Sequence, residues 1–124
     1  MYRVKFINCK LYGASFIDSN INDLIISDSM CNLINLATNK LNNVKFINSS
    51  FRESRMLECA MKNVIIDNID FSKSEIINTP LNNIDLSTSK IDSIKTDLKS
   101  IKGMIVDYHQ SMDLIGLLGI KIKE

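Results

Sequence analysis

An apolar residue stands at every fifth position from Phe6 to Ile91, and this spacing constrains the fold more than any other feature of the sequence. We call these residues the centres of the repeat. Only 45% of the chain is hydrophobic, so chance does not explain an unbroken apolar series of this length. The centres are Phe6, Leu11, Phe16, Ile21, Ile26, Cys31, Leu36, Leu41, Phe46, Phe51, Met56, Met61, Ile66, Phe71, Ile76, Leu81, Leu86 and Ile91.

A period of five fits neither regular element of secondary structure. An α-helix needs apolar residues at spacings of three and four, and a half-buried strand needs alternation. A chain that turns a corner after each repeat instead keeps every centre pointing at one axis, and four such sides close a square coil in about 20 residues. Successive coils would then stack through backbone hydrogen bonds at a spacing of about 4.8 Å.

Several repeats share one motif: a small residue, any residue, Leu, Phe or Ile, and two polar or variable residues. Examples are Ala14-Ser15-Phe16-Ile17-Asp18, Ser49-Ser50-Phe51-Arg52-Glu53 and Ser74-Glu75-Ile76-Ile77-Asn78. With this motif, residues 4–94 resemble the pentapeptide-repeat family. The resemblance implies an all-β solenoid, a right-handed quadrilateral β-helix, which the C-terminal residues extend with a short α-helix and a strand.

Every fourth centre should stack on the one before it, which gives four internal ladders, one for each side of the coil. We number the sides by their first centres, Phe6, Leu11, Phe16 and Ile21. Burial of each such side chain contributes about 1.5–3 kcal/mol before the cost of ordering the chain is subtracted. The residues expected to form the core ladder are Phe6, Leu11, Phe16, Phe46, Phe51, Met56, Ile66 and Phe71.

The residues two positions before the centres distinguish the sides. On the first side they are apolar, from Val4 to Ile84, which predicts the best packed and most strand-like side. The fourth side carries clustered asparagines and Pro80, which predicts many turns. Asn39 points inward there, and we expect its side chain to hydrogen-bond a turn backbone.

Most outward positions carry Lys, Asn, Asp or Ser, but the third side does not follow this rule. The residue after each third-side centre is apolar in four successive coils, and we call this set the third-side column: Ile17, Ala37, Leu57 and Ile77. Contiguous apolar patches often mark contact sites, so Ile17, Leu57 and Ile77 predict a partner surface. The alternative is ordinary decoration of a β surface with β-branched residues.

Charge and cysteine content argue against several classes of protein. The net charge of +1 provides no field that would attract nucleic acid, and no side carries a basic stripe with interleaved aromatic residues, so we expect no direct nucleic-acid binding. The three cysteines are too few and too widely spaced for a disulfide framework or a zinc motif. We expect all three, Cys9, Cys31 and Cys59, to be buried.

Membrane and targeting segments are also not expected. No apolar run approaches the roughly 20 residues that span a bilayer, and the repeat already includes Val4, which leaves no room for a signal peptide. With the isolated cysteines, these features predict a protein without membrane contact in a reducing, cytoplasmic setting.

The repeat weakens near Thr96, where a centre should be apolar. We therefore divide the chain into a β-helix over residues 1–98 and a C-terminal module over residues 99–124, which begins with an irregular final coil. Asp107 and Gln110 have the spacing of a capping box and predict a helix to Leu118, with an alternating strand after Gly119. The module has more apolar residues than one helix face can bury, so we expect a dimer interface at Leu114, Ile115, Leu117, Leu118, Ile120 and Ile122.

Residues 102–110, followed by residues 117–120, are similar to the C-terminal end of the Qnr-type quinolone-resistance proteins. Those proteins dimerise through this end, bind DNA gyrase and topoisomerase IV, and are thought to imitate duplex DNA. The resemblance implies a two-fold homodimer and a type II topoisomerase as a possible partner. The balanced charge and the missing loop insertions count against DNA mimicry.

These features favour a non-enzymatic, dimeric protein-interaction module of the pentapeptide-repeat family. The alternative is a DNA-mimicking binder of DNA gyrase and topoisomerase IV that gives quinolone protection. His109 is the only histidine and has no nucleophile or metal set beside it in the sequence, so we expect neither catalysis nor a cofactor.

Overall fold

The computed structural model describes residues 2–117, which form a β-solenoid of about five coils with a short C-terminal helix. The predicted fold class is confirmed. The seven strands and two helices are β1 Tyr2–Ile7, β2 Asn20–Ser27, β3 Lys40–Ser50, β4 Arg55–Leu57, β5 Ala60–Asp70, β6 Glu75–Ile77, β7 Lys95–Thr96, α1 Leu98–Ile101 and α2 Tyr108–Leu117. The predicted strand after Gly119 lies outside the described residues.

All of the pairing between strands is parallel. One sheet has the order β1-β2-β3-β5 and the other has the order β4-β6-β7. The register is constant, because each residue pairs with the residue four repeats later, as in Val4↔Leu24 and Leu24↔Val44. The paired strands therefore belong to successive coils, and four repeats complete one coil.

The corners of the coil are formed by residues with positive φ. These residues recur every five positions, two residues after each centre, from Asn8 (φ 55) through Asn83 (φ 63). Asparagine and aspartate enter the left-handed region more readily than other non-glycine residues. Among residues 2–117, seven Asn and three Asp are found in the set of seventeen non-glycine residues with positive φ. Asparagine is therefore the commonest non-glycine residue at these corners.

The interior is filled by the centres. Phe46, Phe51, Met56 and Phe71 are fully buried, and Ile66 is 5% exposed. The ring centroids of Phe46 and Phe51 lie 4.9 Å apart. In the first coil the centres Phe6, Leu11 and Phe16 pack against this core but are only half-buried.

Small polar residues two positions before a centre link successive coils. The backbone N–H of Ser29 donates to the hydroxyl of Ser49 at 3.0 Å, and the N–H of Cys59 donates to the hydroxyl of Thr79 at 3.2 Å. Asn39 has the same role on the fourth side: its Oδ1 accepts from the N–H of Ser19 at 3.0 Å, and its Nδ2 donates to the carbonyl oxygen of Phe16. The predicted hydrogen bonding of Asn39 to the backbone is confirmed.

The first side is the strand-rich side, as predicted, but the prediction of a turn-rich fourth side holds only at Leu81, where a turn at Asn82–Asn83 follows the centre. In the earlier coils the prediction is wrong, because β2, β3 and β5 continue through the fourth-side centres, with Leu41 paired to Met61. Two-residue turns instead follow the second-side centres, for example at Arg52–Glu53 and Ser72–Lys73. Asn43 and Asn63 occupy corners of this side and bond to each other, from Asn63 Nδ2 to Asn43 Oδ1 at 3.1 Å, so they extend the ladder rather than interrupt it.

The last coil departs from the repeat between Thr96 and Gly103. Asp97 caps α1, since its side chain accepts from the backbone N–H of Ser100 at 3.2 Å. The Ser100 hydroxyl accepts from Thr79 N–H at a sequence separation of 21, one more than the usual spacing, whereas the Ser100 carbonyl accepts from Leu81 N–H at the regular separation of 19. The helical turn therefore displaces the Ser100 side chain, while the backbone keeps the regular register at Leu81 and again where Asp85 pairs with Ile105.

Replacement of Thr96 by valine should stabilise the protein. Thr96 occupies a third-side centre next to Ile76, and within residues 2–117 its Oγ1 is buried without a hydrogen-bond partner. Removing this unsatisfied hydroxyl should raise the free energy of unfolding by about 1–2 kcal/mol. Urea denaturation measures the change, and Thr88→Val is a matched control that removes a hydroxyl bonded to Asp67 at 2.8 Å. A lower midpoint for Thr96→Val than for the unmodified protein would contradict the prediction.

Candidate interaction surfaces

The third-side column forms a continuous apolar line along the outside of the solenoid. Leu57 and Ile77 are direct partners in β4 and β6, and the N–H of Thr38 donates to the carbonyl of Leu57 at 2.8 Å, which places Ala37 in the adjacent coil. Ile17 is 49% exposed, while Ala37, Leu57 and Ile77 are half-buried. The structure thus brings the predicted partner-surface residues together at one residue per coil.

Polar side chains border the third-side column on both edges. On one edge the Nε of Arg55 lies 3.2 Å from the Oε2 of Glu75 in the next coil. On the other edge the hydroxyl of Thr38 donates to the carboxylate of Asp18. Both contacts join successive coils. Neighbouring coils beside the third-side column are therefore connected by side-chain contacts as well as by backbone hydrogen bonds.

A capping box begins α2 at the C-terminal end. The backbone N–H of Gln110 donates to Asp107 Oδ1 at 2.8 Å, and the backbone N–H of Asp107 donates to Gln110 Oε1 at 2.9 Å. These reciprocal bonds satisfy groups that the first turn of a helix leaves open. Asp107 and Gln110 therefore set both the start and the direction of α2.

Gln110 also attaches α2 to the solenoid. Its Nε2 donates to the carbonyl oxygens of Leu86 at 2.6 Å and Ser89 at 2.5 Å, and the residue is 7% exposed. Leu114, one turn later, packs against the core. The helix α2 is thus held on the last coil by the hydrogen bonds of the Gln110 amide and by the apolar contact of Leu114.

The predicted dimer-interface residues are described only in part. Leu114 and Ile115 are both half-buried on α2, and Leu117 is its last described residue. The other predicted interface residues, Leu118, Ile120 and Ile122, lie outside the described residues.

The C-terminal end carries further exposed apolar residues that were not predicted from the sequence. Tyr108 and Met112 lie one helical turn apart on α2, and Ile105 precedes them; Tyr108 is 75% exposed. Residues four apart lie next to each other on a helix, so the spacing of Tyr108 and Met112 could have predicted this pair from the sequence. Leu98 on α1 is also exposed.

The N-terminal end of the first side is basic. A shallow depression on the outer face of β1, β2 and β3 is lined by Arg3, Lys5, Asp23, Ile25, Asn43 and Lys45. Four of these six residues are ionisable, and three of those four are cations. No loop interrupts the face, because the register from β1 to β3 is continuous.

Acidic residues do not line up along the solenoid. In each column of outward residues at successive coils between Arg3 and Leu98, acids are separated from one another by basic, neutral or apolar residues in the intervening coils. In the Asp18 column, for example, Thr38 separates Asp18 from Glu58. A duplex-like surface requires a dense row of negative charge, which these columns lack.

The cysteines are isolated thiols with a packing role. Cys31 and Cys59 are buried as expected, whereas the expectation that Cys9 is buried is wrong: it is only half-buried, because it lies in the first described coil. Burial raises the pKa of the Cys31 thiol to about 11, with the nearby Cys9 as a second cause. Burial likewise raises the pKa of Cys59. Both buried thiols therefore stay protonated and unreactive near neutral pH.

Two carboxyl groups have shifted pKa values with clear causes. The hydrogen bond from the Ser100 hydroxyl lowers the pKa of Asp97. At Asp70, partial burial acts to raise the pKa, but hydrogen bonds from Ser72 outweigh it and lower the pKa of that carboxyl. Both groups serve capping and turn formation.

The described part of the chain has neither a cluster of metal ligands nor a helix that could span a membrane. Residues 2–117 contain no group of three or more His, Cys, Asp and Glu side chains placed to hold a metal ion. Over the same residues, neither helix has the length and apolar content that crossing a lipid bilayer requires.

With a corner at every fifth residue and a coil for every four repeats, the chain has the fold of the pentapeptide-repeat proteins. HetL from the cyanobacterium Nostoc, a pentapeptide-repeat protein involved in regulating heterocyst differentiation, has a similar structure, with a TM-score of 0.69 at 12% sequence identity. The match covers 75% of this chain but 39% of HetL. The likeness at this identity concerns the fold alone.

Two other solved structures are similar over most of their length. Rfr23, a pentapeptide-repeat protein from the cyanobacterium Cyanothece, matches 83% of this chain and 91% of its own, with 11% identity and a TM-score of 0.35. QnrB1, a plasmid-mediated fluoroquinolone-resistance protein, matches 97% of this chain and 80% of its own, with 14% identity and a TM-score of 0.34. No protein-family model matches the sequence, and comparison with curated proteins gave no match.

Removal of the Gln110 amide should release α2 from the solenoid. Gln110→Ala loses the capping bond and leaves the carbonyls of Leu86 and Ser89 without this donor, so the free energy of unfolding should fall by about 2–3 kcal/mol. Hydrogen exchange of the α2 amides measures the release. As a control, Asp107→Asn keeps an acceptor at the N-cap and should leave the protection of α2 largely intact.

Gln110→Glu should make the same attachment depend on pH. A carboxylate facing two carbonyl oxygens is disfavoured, so the folded-state pKa of Glu at this position should lie above its unfolded value. The attachment should therefore be present below the unfolded pKa and be lost as pH rises through the raised pKa. Equal α2 protection at acidic and neutral pH would contradict this account.

Proposed function

We propose that this chain is a non-enzymatic protein-interaction module that acts as a homodimer. The observation that carries the proposal is the third-side column, an apolar line of Ile17, Ala37, Leu57 and Ile77 on a stiff parallel scaffold. In the proposal, residues 1–98 provide the surface, and residues 99–124 join two copies. A solenoid suits this role because each coil adds one surface residue at a fixed spacing.

The triple variant Ile17→Ser, Leu57→Ser, Ile77→Ser should lose partner binding while keeping the fold. Leu57 and Ile77 are half-buried, so we expect a modest loss of stability alongside the loss of the apolar line. The measurement is capture of binding partners by the immobilised protein, with circular dichroism to verify folding. A matched control replaces Ile7 and Ile65, two exposed isoleucines of the first side, by serine. Capture unchanged by the triple variant would remove the third-side column from the proposal.

The second part of the proposal places the dimer interface at the C-terminal end. Leu114 already packs against the core, which leaves Ile115 as the residue of the predicted interface that we expect to contact a second copy. An isologous contact at the end of a solenoid closes after two subunits and leaves the four sides of both copies open.

Light scattering should give a mass of twice 14.1 kDa for the unmodified chain and 14.1 kDa for Ile115→Glu. A charge in an apolar interface is strongly unfavourable, so one substitution per subunit should suffice. Asp113→Lys is a control, since it changes an exposed charge on the same helix. A monomeric mass for the unmodified chain at high micromolar concentration would contradict the predicted dimer.

Binding of DNA gyrase or topoisomerase IV is the second candidate, and it depends on the sequence similarity of residues 102–110 and 117–120 to Qnr-type proteins. The capping box of Asp107 and Gln110 lies within that segment. The dispersed acidic residues count against a DNA mimic. A gyrase supercoiling assay with and without a quinolone separates the candidates, because a general interaction module leaves supercoiling and drug inhibition unchanged.

A further inference from the structure

The N-terminal end of the solenoid is an open edge within the described residues. We call the coil that contains Leu11 coil 1 and the coil that contains Cys31 coil 2. In coil 2 the N–H of Met30 donates to the carbonyl oxygen of Cys9 at 2.9 Å, and the carbonyl oxygen of Met30 accepts from the N–H of Leu11 at 2.7 Å. Both groups of Met30 therefore face coil 1. Asn35 does the same with Ala14 and Phe16. Lys10 and Ser15 occupy the equivalent positions of coil 1, and their N–H and C=O groups therefore face away from the solenoid.

The core is also incompletely covered at this edge. Phe6, Leu11 and Phe16 are half-buried, whereas their counterparts one coil later, Ile26, Cys31 and Leu36, are at most 1% exposed. The ring centroids of Phe6 and Phe16 lie 6.2 Å apart at this end, with the ring planes tilted by 51°. One more extended segment would bury these side chains and pair with the outward-facing backbone, as strand addition does in other proteins.

Charge identifies the kind of segment that fits. Lys5 and Lys10 are exposed and stand immediately before the first two centres. Elsewhere in this molecule, the position before a centre pairs with the same position in the next coil: Arg55 contacts Glu75 at 3.2 Å in this way. A segment added above coil 1 would place its own pre-centre residues beside Lys5 and Lys10, where acidic side chains are favoured.

A second copy of this chain fits the same edge poorly. Two N-terminal edges carry the same positive charges at Lys5 and Lys10, and lysine on an edge strand is a common device against self-pairing. We propose that the N-terminal edge binds an extended acidic segment of a partner protein, which pairs with the backbone of Lys10 and Ser15 and covers Leu11 and Phe16.

The test uses two fluorescein-labelled peptides of three five-residue repeats, with an apolar residue at each fifth position. One has glutamate before each apolar residue and the other has lysine. Fluorescence anisotropy with the full chain should show saturable binding of the glutamate peptide and at least about tenfold weaker binding of the lysine peptide. Equal binding of the two peptides, or no binding of either, would overturn the proposal.

Two variants locate the binding site. Lys10→Glu should reverse the preference between the peptides, while Lys90→Glu, at the equivalent position four coils away, should leave it unchanged. Ser15→Pro removes an outward N–H without using a bond of the solenoid, because proline is tolerated where the N–H of an edge strand faces outward. It should weaken binding at least about tenfold with the thermal midpoint unchanged.

Two outcomes would refute the proposal, and each can be told apart from a variant that fails to fold. A Lys10→Glu variant that folds normally and keeps the original peptide preference would refute the charge argument, even if Ser15→Pro failed to fold. A drop in the mass of the unliganded protein on Ser15→Pro, measured by light scattering, would show that a second copy fills the edge and would overturn the proposal. The peptide preference does not depend on the C-terminal interface or the third-side column, so its outcome is separate from the test of the proposed function.

Discussion

Backbone hydrogen bonding at a constant offset of four repeats is the constraint on which the rest of this structure depends. It forces every coil to have the same length, so each corner needs a residue that accepts positive φ at the same step. It also stacks like positions on like positions. The interior ladders, the asparagine contacts such as Asn43 to Asn63, and the third-side column are all products of that one register.

Most of the fold could be predicted because its information is local and repeated. A centre at every fifth residue determines which side chains face inward, whatever the identity of the residues between them. The corners were harder. Asn43 and Asn63 suggest turns when read singly, and the recurrence of Asn and Asp two residues after the centres becomes meaningful only when the φ values are known. That preference was present in the sequence on the first, third and fourth sides, but only the asparagine cluster of the fourth side led to a prediction of turns.

The C-terminal end could be predicted only in part, since its contacts do not repeat. The Asp107–Gln110 box is a short-range pattern and was recognised. The bonds from Gln110 to Leu86 and Ser89 have sequence separations of 24 and 21, which differ from the regular offset of four repeats. No short-range pattern in the sequence predicts them. The same holds for the Ser100 hydroxyl, which accepts from Thr79 at a separation of 21 because α1 displaces this side chain from its regular position. The third-side column could be found from spacing, whereas the degree of exposure along it could not.

The uniform coil also makes length a modular quantity. Removal or duplication of four consecutive repeats within the regular coils, for instance between Leu24 and Val44, would reconnect matching corners and leave each side facing its former direction. A chain of this kind can therefore grow or shrink by whole coils, changing the reach of its sides in steps of about 4.8 Å while its two ends stay the same.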